Sequence, residues 1–180
     1  MPAPLRTIGH GGLSEEPFTR LLRDAGVAVV VDVRRRPGSR RHPQFQRRAM
    51  QRWLADAGID HRWVEALGGH REPDPASPNL ALDEPLRAYA DHLSSPDGRS
   101  ALRDLLDLAE QAPTAICCAE GDWRRCHRRV LADAVVLLGD RDVHHLHHDG
   151  GSEPHMPDPA ARIVDGVLRY DRGEDAPLWI

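Results

Sequence analysis

Several kinds of residue are missing or rare in this sequence. It has no lysine, so all 24 basic residues are arginine. Its three cysteines are an odd number with two of them adjacent, which argues against a disulfide framework. Only 4% of the residues are aromatic, so the core must consist mostly of Leu, Val and Ala. No apolar run approaches the roughly 20 residues of a membrane span, so we expect no membrane association of that kind.

The N-terminus lacks the apolar stretch of a secretory signal peptide, so we expect a cytoplasmic protein whose thiols stay reduced. The 180 residues suit a single domain, ending in an irregular, proline-rich extension from about 150 to 180. The net charge of −4 gives no overall attraction to nucleic acid. The arginines are nevertheless clustered: eight lie between Val33 and Ala55, with no acidic residue, and four more lie in the segment 124–129.

The order of the hydrophobic patterns predicts the fold class. The apolar run Val27–Val33 is typical of a strand that is buried on both faces of a parallel sheet. Further strands are predicted at 5–9, 59–64, 114–119 and 142–148, and helices at 15–25, 44–57, 85–93, 99–111 and 125–138. This alternation indicates a three-layer α/β domain, with a mostly parallel sheet of about five strands and helices on both faces.

The carboxyl ends of the predicted strands hold most of the reactive side chains. Ligands of open α/β sheets bind at this edge. The side chains that the sequence places there include His10, Asp32, Arg34, Cys118, Glu120, His147 and His148. We therefore expect a single pocket at this edge.

The segment 117–135 contains all three cysteines, together with a buried-looking acid and an imidazole. Cys117 lies within a strand and is expected to pack in the core. Cys118 lies at the exit of that strand. Cys126 is expected in the first turn of the next helix, where the helix N-terminus and the flanking arginines favour a thiolate. Cys126 is thus the first candidate for an activated thiol, and Cys118 the second.

Two kinds of chemistry use these thiols directly. In the first, Cys118 or Cys126 is a nucleophile, and His10 or His127 accepts its proton. In the second, Cys118, Cys126 and His127 bind a metal ion. Their C-x7-C-H spacing is not the C-x2-C of ordinary zinc sites, so the metal signal is weak; we assign no metal ligands and leave the cofactor open.

Two further interpretations remain open for the same segment. Cys118 and Arg124 match the Cys-x5-Arg loop of phosphatases, but Glu120 and Asp122 would place two carboxylates in a loop that must bind an anion. The alternative is structural: Asp32 and Glu120 pair with arginines, and the cysteines only pack.

The arginine-rich loop after the second strand suits recognition of an anion. Arg34 and Arg40 offer forked guanidinium groups and Ser39 a hydroxyl, which match phosphate or carboxylate. Asp32 would orient an arginine or act as an acid. The loop's prolines limit the entropy that it would lose on binding. The competing interpretation is a solvated basic loop.

Four histidines in the last predicted strand form a tract that could be mistaken for a metal site. Because successive side chains of a strand point to opposite faces of the sheet, only His145 and His147, or His144 and His148, lie on the same face. We expect this strand near the sheet edge and its histidines mostly on the surface.

Four motifs occur in order along the chain: TIGH at Thr7–His10, DVR..P.SRR.PQF at Asp32–Phe45, LGG.R at Leu67–Arg71 and CAE.D...CHR at Cys118–Arg128. With this set the chain resembles the domain of unknown function 488 family of small bacterial and archaeal proteins. The resemblance covers about residues 5–140. It implies an α/β fold with a shared site built from these motifs, and it implies no reaction.

Two positions depart from the pattern of that family. Gly11 and Gly12 follow His10, where the family commonly has a serine, so any role of that hydroxyl is lost. Trp123 stands where the family often has a proline. Arg124 belongs to none of the motifs, which further weakens the phosphatase interpretation.

These observations favour an enzyme that acts on a phosphate-bearing substrate, either a nucleotide or a nucleic acid. The residues expected to hold the anion are Arg34, Ser39, Arg40 and Arg128. The residues expected to line the reactive pocket are His10, Asp32, Cys118, Glu120, Cys126 and His127. The alternative is a non-enzymatic module that binds nucleic acid or a metal through the same edge.

Overall fold

Five parallel strands and one antiparallel strand form the central sheet of the computed structural model, which describes residues 3–171. The strands of this sheet are β1 (Leu5–Gly9), β2 (Val29–Asp32), β3 (Asp60–Trp63), β4 (Thr114–Cys118), β5 (Val143–Leu146) and β6 (Ser152–Pro154). They lie in the order β3-β2-β4-β1-β5-β6. The strands β7 (Arg162–Val164) and β8 (Val167–Arg169) form a separate antiparallel pair.

Helices cover both faces of the sheet. They are α1 (Glu15–Asp24), α2 (Arg47–Asp56), α3 (Glu84–Ser94), α4 (Pro96–Gln111) and α5 (Arg128–Gly139). On one face, α1 and α2 pack their apolar side chains on Ile8 and Val30. On the other face, α3, α4 and α5 pack on Val29, Val31 and Ile116. The predicted three-layer α/β fold is confirmed. None of the helices in the described residues is both long and apolar enough to cross a membrane.

The register of the parallel strands brings their carboxyl ends to one level. Gly9 at the end of β1 lies beside Cys118 at the end of β4. Asp32 at the end of β2 lies beside Cys117 on one side and Trp63 on the other. The chain segments that leave these strands therefore start next to one another, as the parallel arrangement predicted.

The last strands differ from the sequence-based expectation. The extension that we expected to be irregular contains β6, β7 and β8 within its described part, up to residue 171. Because β6 pairs with β5, the histidine tract does not lie at the sheet edge. His145 is 1% exposed, so its expected place on the surface is wrong. His147 lies near Glu153, and His148 forms a hydrogen bond with the carbonyl oxygen of Gly9.

Gly9 marks the closest approach between β1 and the loop that follows β4. A Cβ atom at this position would lie 2.7 Å from Nη2 of Arg128 and far inside van der Waals contact with the carbonyl oxygen of Glu120. Both groups are held in place, since Arg128 donates a hydrogen bond to that same oxygen. Only glycine allows the loop to approach the strand this closely.

We expect Gly9→Ala to lower the free energy of unfolding by about 2 kcal/mol or more, because neither the backbone of Glu120 nor the buried Arg128 can move aside cheaply. Gly12→Ala is the matched control, since nothing lies within 4 Å of a Cβ atom there. Urea unfolding of both variants measures the difference. Equal stabilities would contradict the packing described here.

Candidate functional site

Two adjoining clefts open at the carboxyl ends of the strands. The first, the cysteine cleft, has a volume of about 680 Å³, and its lining includes Cys118, Glu120, Arg125, Cys126 and His127. The second, the arginine cleft, has a volume of about 530 Å³, and its lining includes Arg34, Arg35, Arg36, Cys118 and His127. Cys118 and His127 line both clefts, so these two side chains lie where the clefts meet.

Two sulfur atoms and one imidazole nitrogen form a tight cluster at this junction. Sγ of Cys118, Sγ of Cys126 and Nδ1 of His127 all lie within 4.8 Å of one another. The nitrogen is 3.6 Å from the sulfur of Cys126 and 4.0 Å from that of Cys118. Both cysteines are almost fully buried. Sequence reasoning had joined these three residues, and the structure brings them together.

The two thiols of the cluster differ sharply in their affinity for a proton. The neighbouring thiol of Cys118, together with His127 and Arg128, holds the pKa of Cys126 below that of an ordinary thiol, although burial opposes this. The neighbouring sulfur of Cys126 and burial raise the pKa of Cys118. Of the two sulfurs, Cys126 is the one that accepts a hydrogen bond from Arg128, so its surroundings favour the thiolate more than those of Cys118 do. Burial raises the pKa of Cys117 to about 12, in keeping with its predicted place in the core.

Arg128 supplies the positive charge beside this thiolate. Its side chain is 1% exposed, and its Nε donates a hydrogen bond to the sulfur of Cys126 over 3.4 Å. Its Nη2 donates to the carbonyl oxygens of Glu120 and Gly121. Arg128 is not among the residues that line either cleft. In the structure Arg128 instead holds the sulfur of Cys126 and the loop; its expected binding of an anion stays a prediction.

The loop between the cysteines forms a short turn before the helix. A 3-10 turn spans Trp123–Arg125, and Asp122 caps it by accepting a hydrogen bond from the backbone N–H of Arg124. Because α5 begins only at Arg128, Cys126 precedes the helix rather than lying in its first turn, and that detail of the prediction is wrong. The sulfur still lies at the helix N-terminus, where the peptide dipoles favour a negative charge.

Glu120 lies on the rim of the cysteine cleft. It is exposed, so its buried appearance in the sequence was misleading. One oxygen of its carboxylate accepts a hydrogen bond from the backbone N–H of Asp122. Glu120 can therefore meet a ligand in the cleft, but in the described residues its carboxylate forms no hydrogen bond or ion pair with an arginine side chain.

Two glycines of the LGG.R motif explain why this motif accompanies the cysteines. A Cβ atom on Gly69 would lie 2.8 Å from Nδ1 of His127, the nitrogen that faces the sulfurs. A Cβ atom on Gly68 would lie 2.8 Å from the backbone nitrogen of Arg35. Sequence reasoning had quoted the motif without giving either glycine a role. Both positions require a side chain no larger than hydrogen, because a backbone atom or the imidazole occupies the space.

Asp32 and Arg34 form a buried ion pair beneath the clefts. Nε and Nη2 of Arg34 donate to the two carboxylate oxygens of Asp32 over 2.8 and 2.6 Å. Nη1 donates to the carbonyl oxygen of Phe45 and faces Nε2 of His10, and Nη2 also faces the sulfur of Met50. All five N–H bonds of the guanidinium group therefore have partners inside the protein. Arg34 lines the arginine cleft, but its guanidinium group keeps no N–H bond free for an anion.

Desolvation and hydrogen bonding fix the charges of this buried group. Burial would raise the pKa of Asp32, but the hydrogen bonds from Arg34 outweigh it and hold that pKa below its usual value. Burial lowers the pKa of His10 to about 4, so its imidazole is neutral at pH 7. His10 stacks on Phe45 and lines neither cleft. We therefore assign structural tasks to Asp32 and His10. For Asp32 this agrees with the structural interpretation of the sequence, in which it pairs with an arginine.

The remaining predicted anion ligands lie away from the clefts. Ser39 accepts a hydrogen bond from the backbone N–H of His42, and Arg40 is exposed, but neither residue lines a cleft. Arg36 and Arg125 do line the clefts. Among residues 3–171, the structure gives these two guanidinium groups no hydrogen-bond or ion-pair partner. The sequence shows the arginine clusters but contains no signal that tells a free arginine from an engaged one.

Comparisons with known proteins point to one family. The family model described as "Domain of unknown function DUF488" matches residues 14–135, which is more than half of the chain. Three of the four motifs lie within this range, and TIGH precedes it. Neither the curated proteins nor the solved structures yielded a match.

We expect Arg34→Ala to cost about 3–5 kcal/mol of stability, because it leaves the buried carboxylate of Asp32 without its counter-charge. Arg36→Ala is the matched control: the residue is a near neighbour in the same loop, exposed and unpaired. Thermal and urea unfolding measure both variants. A stable, folded Arg34→Ala protein would contradict the structural task that we give to this arginine.

Proposed function

The chain belongs to the DUF488 family, whose description names no reaction, and we propose its function from the geometry of the two clefts. We propose that the protein is a thiol-dependent enzyme that acts on a phosphate-bearing substrate. Cys126 is the nucleophile, and Cys118 or His127 donates a proton to the leaving group and later takes it back. The free arginines of the two clefts bind the substrate's negative charge.

One observation carries this proposal: the sulfur of Cys126 faces three groups that favour its thiolate. The sulfur of Cys118 lies within 4.8 Å, His127 presents Nδ1 at 3.6 Å, and Arg128 donates from Nε at 3.4 Å. A cysteine that only fills space in a core has no need of such partners. The thiolate is the nucleophilic form of cysteine, and this one lines a cleft large enough for a small substrate.

The arrangement accounts for each step of a nucleophilic displacement. The electron pair of the Cys126 thiolate forms a bond to the electrophilic atom of the substrate, and the bond from that atom to its leaving group breaks. The leaving group departs with that electron pair and takes a proton from Cys118 or His127, which lie at the sulfur. Water then cleaves the sulfur–substrate bond, which restores the thiolate and returns the proton.

The charges around the clefts favour an anionic substrate. Arg125 and Arg36 present unpaired guanidinium groups, one in each cleft. A planar guanidinium fork matches two oxygens of a phosphate group. Further exposed arginines follow on the arginine-rich loop and on α2, outside the lining of the clefts; they are Arg40, Arg41, Arg47, Arg48 and Arg52. Acidic residues also line the clefts, so the charge is local: Asp83 and Glu120 lie in the first, and Glu72 lies in the second.

A metal-binding module is the second candidate, and the spacing of the three possible ligand atoms favours it. A tetrahedral metal ion could contact all of them, with one position left open. Two observations argue for the thiol enzyme instead. Arg128 directs a positive charge at the sulfur of Cys126. Nε2 of His127 is buried without a hydrogen-bond partner, whereas a metal-bound histidine almost always donates its other N–H.

We expect Cys126 to react with iodoacetamide far below the pH at which an ordinary thiol of pKa about 8.5 would react. The sign follows from the lowered pKa: as the pH falls, this thiolate persists after ordinary thiols have taken up a proton. Peptide mass spectrometry at each pH identifies the modified cysteine, and inorganic phosphate should slow the reaction. Cys117→Ser, in the core, is the control that leaves the fast phase in place.

Cysteine alkylation and metal analysis of the purified protein together separate the thiol enzyme from the metal-binding module. Three cysteines that stay inert until the protein unfolds would contradict thiol catalysis. A stoichiometric metal ion in the purified protein, lost from His127→Ala, would support the metal-binding module in its place.

We expect Arg125→Ala and Arg36→Ala each to weaken binding of a nucleotide by about tenfold or more, because each removes a charge-assisted contact with phosphate. Arg20→Ala is the control, since Arg20 lies on α1 and lines neither cleft. Calorimetry with a nucleotide and oligonucleotide panel measures the effect. Absence of binding by the wild type would contradict the proposed substrate class, and salt-sensitive binding of oligonucleotides alone would favour a nucleic-acid module.

A further inference from the structure

A continuous chain of hydrogen bonds connects Arg128 to an acidic side chain deep in the protein. Nη1 of Arg128 lies 3.3 Å from the hydroxyl of Thr7, which lies 2.7 Å from Nδ1 of His145. Nε2 of His145 is 2.9 Å from Nδ1 of His155, and Nε2 of His155 is 2.7 Å from the carboxylate of Asp133. The catalytic proposal uses none of the last four residues.

Only one arrangement of protons satisfies every contact with neutral imidazoles and an ionised carboxylate. Arg128 can only donate, so the hydroxyl of Thr7 accepts from it and donates to Nδ1 of His145. His145 then carries its proton on Nε2 and donates to His155. His155 in turn carries its proton on Nε2 and donates to Asp133. Every bond points the same way, so each one polarises the next.

The chain is sealed from water at both ends. Each of its five members is at most 6% exposed. Burial lowers the pKa of His145 to about 2, in keeping with a neutral imidazole. The carboxylate of Asp133 also accepts hydrogen bonds from the hydroxyl of Tyr170 and from the backbone N–H of Asp158. These partners lie in the C-terminal extension, so that segment contributes to the environment of the site.

The chain also touches the loop that presents the cysteine. Trp123, in the turn before Cys126, stacks on His145 with ring centroids 3.9 Å apart. Nε1 of Trp123 donates to Glu153, which lies on β6 and pairs with His145. The turn before Cys126 and the hydrogen-bond chain therefore hold one another in position.

We propose that Thr7, His145, His155 and Asp133 are positioning residues, which hold the guanidinium group of Arg128 against the sulfur of Cys126. This inference rests on the proposed function, since it treats Cys126 as the reactive group. The remaining hydrogen bonds of Arg128 go to the sulfur and to two loop carbonyls, so Thr7 provides its one hydrogen bond with β1 among the described residues. Without that hydroxyl, the guanidinium loses its anchor on the sheet.

The readout is the pH profile of Cys126, to which several neighbouring groups contribute. Cys118 faces it from β4, whereas the buried Cys117 lies on the opposite face of the sheet, and His127 and Arg128 face it from the start of α5. Tyr89 approaches from α3 and stays protonated, since burial raises its pKa. The variants below leave all these groups in place, so a shift in the profile reports the position of Arg128.

The test compares Thr7→Val, which keeps the side-chain shape, with Thr7→Ser, which keeps the hydroxyl. Iodoacetamide modification of Cys126 is followed against pH by peptide mass spectrometry. We expect Thr7→Val to raise the midpoint by about one pH unit, which slows modification about tenfold below both midpoints. Thr7→Ser should restore the wild-type profile. His144→Ala is the control, because this histidine neighbours the chain without belonging to it.

Each outcome decides the matter. A folded Thr7→Val protein with an unchanged midpoint contradicts the positioning role of the hydrogen-bond chain but leaves the proposed function intact. If Thr7→Val does not fold, His145→Phe replaces it, since phenylalanine keeps the stacking on Trp123 and removes both nitrogens; an unchanged midpoint there also overturns the chain. A wild-type profile with no low midpoint overturns the proposed function itself, and this inference with it.

Discussion

The buried guanidinium group of Arg128 is the interaction on which the rest of the site depends. It joins β1 through Thr7, the loop after β4 through two carbonyl oxygens, and the sulfur of Cys126. An arginine that is almost fully buried costs several kcal/mol unless its donors are satisfied and its charge is balanced. In the function that we propose, the thiolate of Cys126 supplies that balance. The same contact then stabilises the loop and favours the ionised sulfur.

Several features of the molecule follow from this one contact. The loop must approach β1 closely enough for the guanidinium to reach its carbonyls, which leaves no room for a side chain on Gly9. The imidazole of His127 must face the sulfurs, which excludes a side chain on Gly69. Cys118 can keep its proton because Cys126 gives its own up. The motifs that are scattered along the chain thus serve a single thiolate.

The sequence predicted the layers and the location of the site, but not the tasks of the individual side chains. A near-continuous apolar run identified β2, and parallel strands place their carboxyl ends together whatever the details. Whether an arginine is free depends on distant partners: Arg34 is fully engaged with Asp32 and Phe45, whereas Arg36 two residues later is unpaired. The chain that ends at Asp133 joins residues more than 100 positions apart, which no local pattern reveals.

The central claim is that Cys126 is ionised in the folded protein near neutral pH. Ultraviolet absorbance of the thiolate, followed against pH in the native wild type and in Cys126→Ser, measures this without any substrate. The account predicts one thiolate whose midpoint lies well below the value of about 8.5 for an ordinary thiol and which is absent from the variant. Thiolate absorbance that appears only above that value, or that survives in Cys126→Ser, would contradict it.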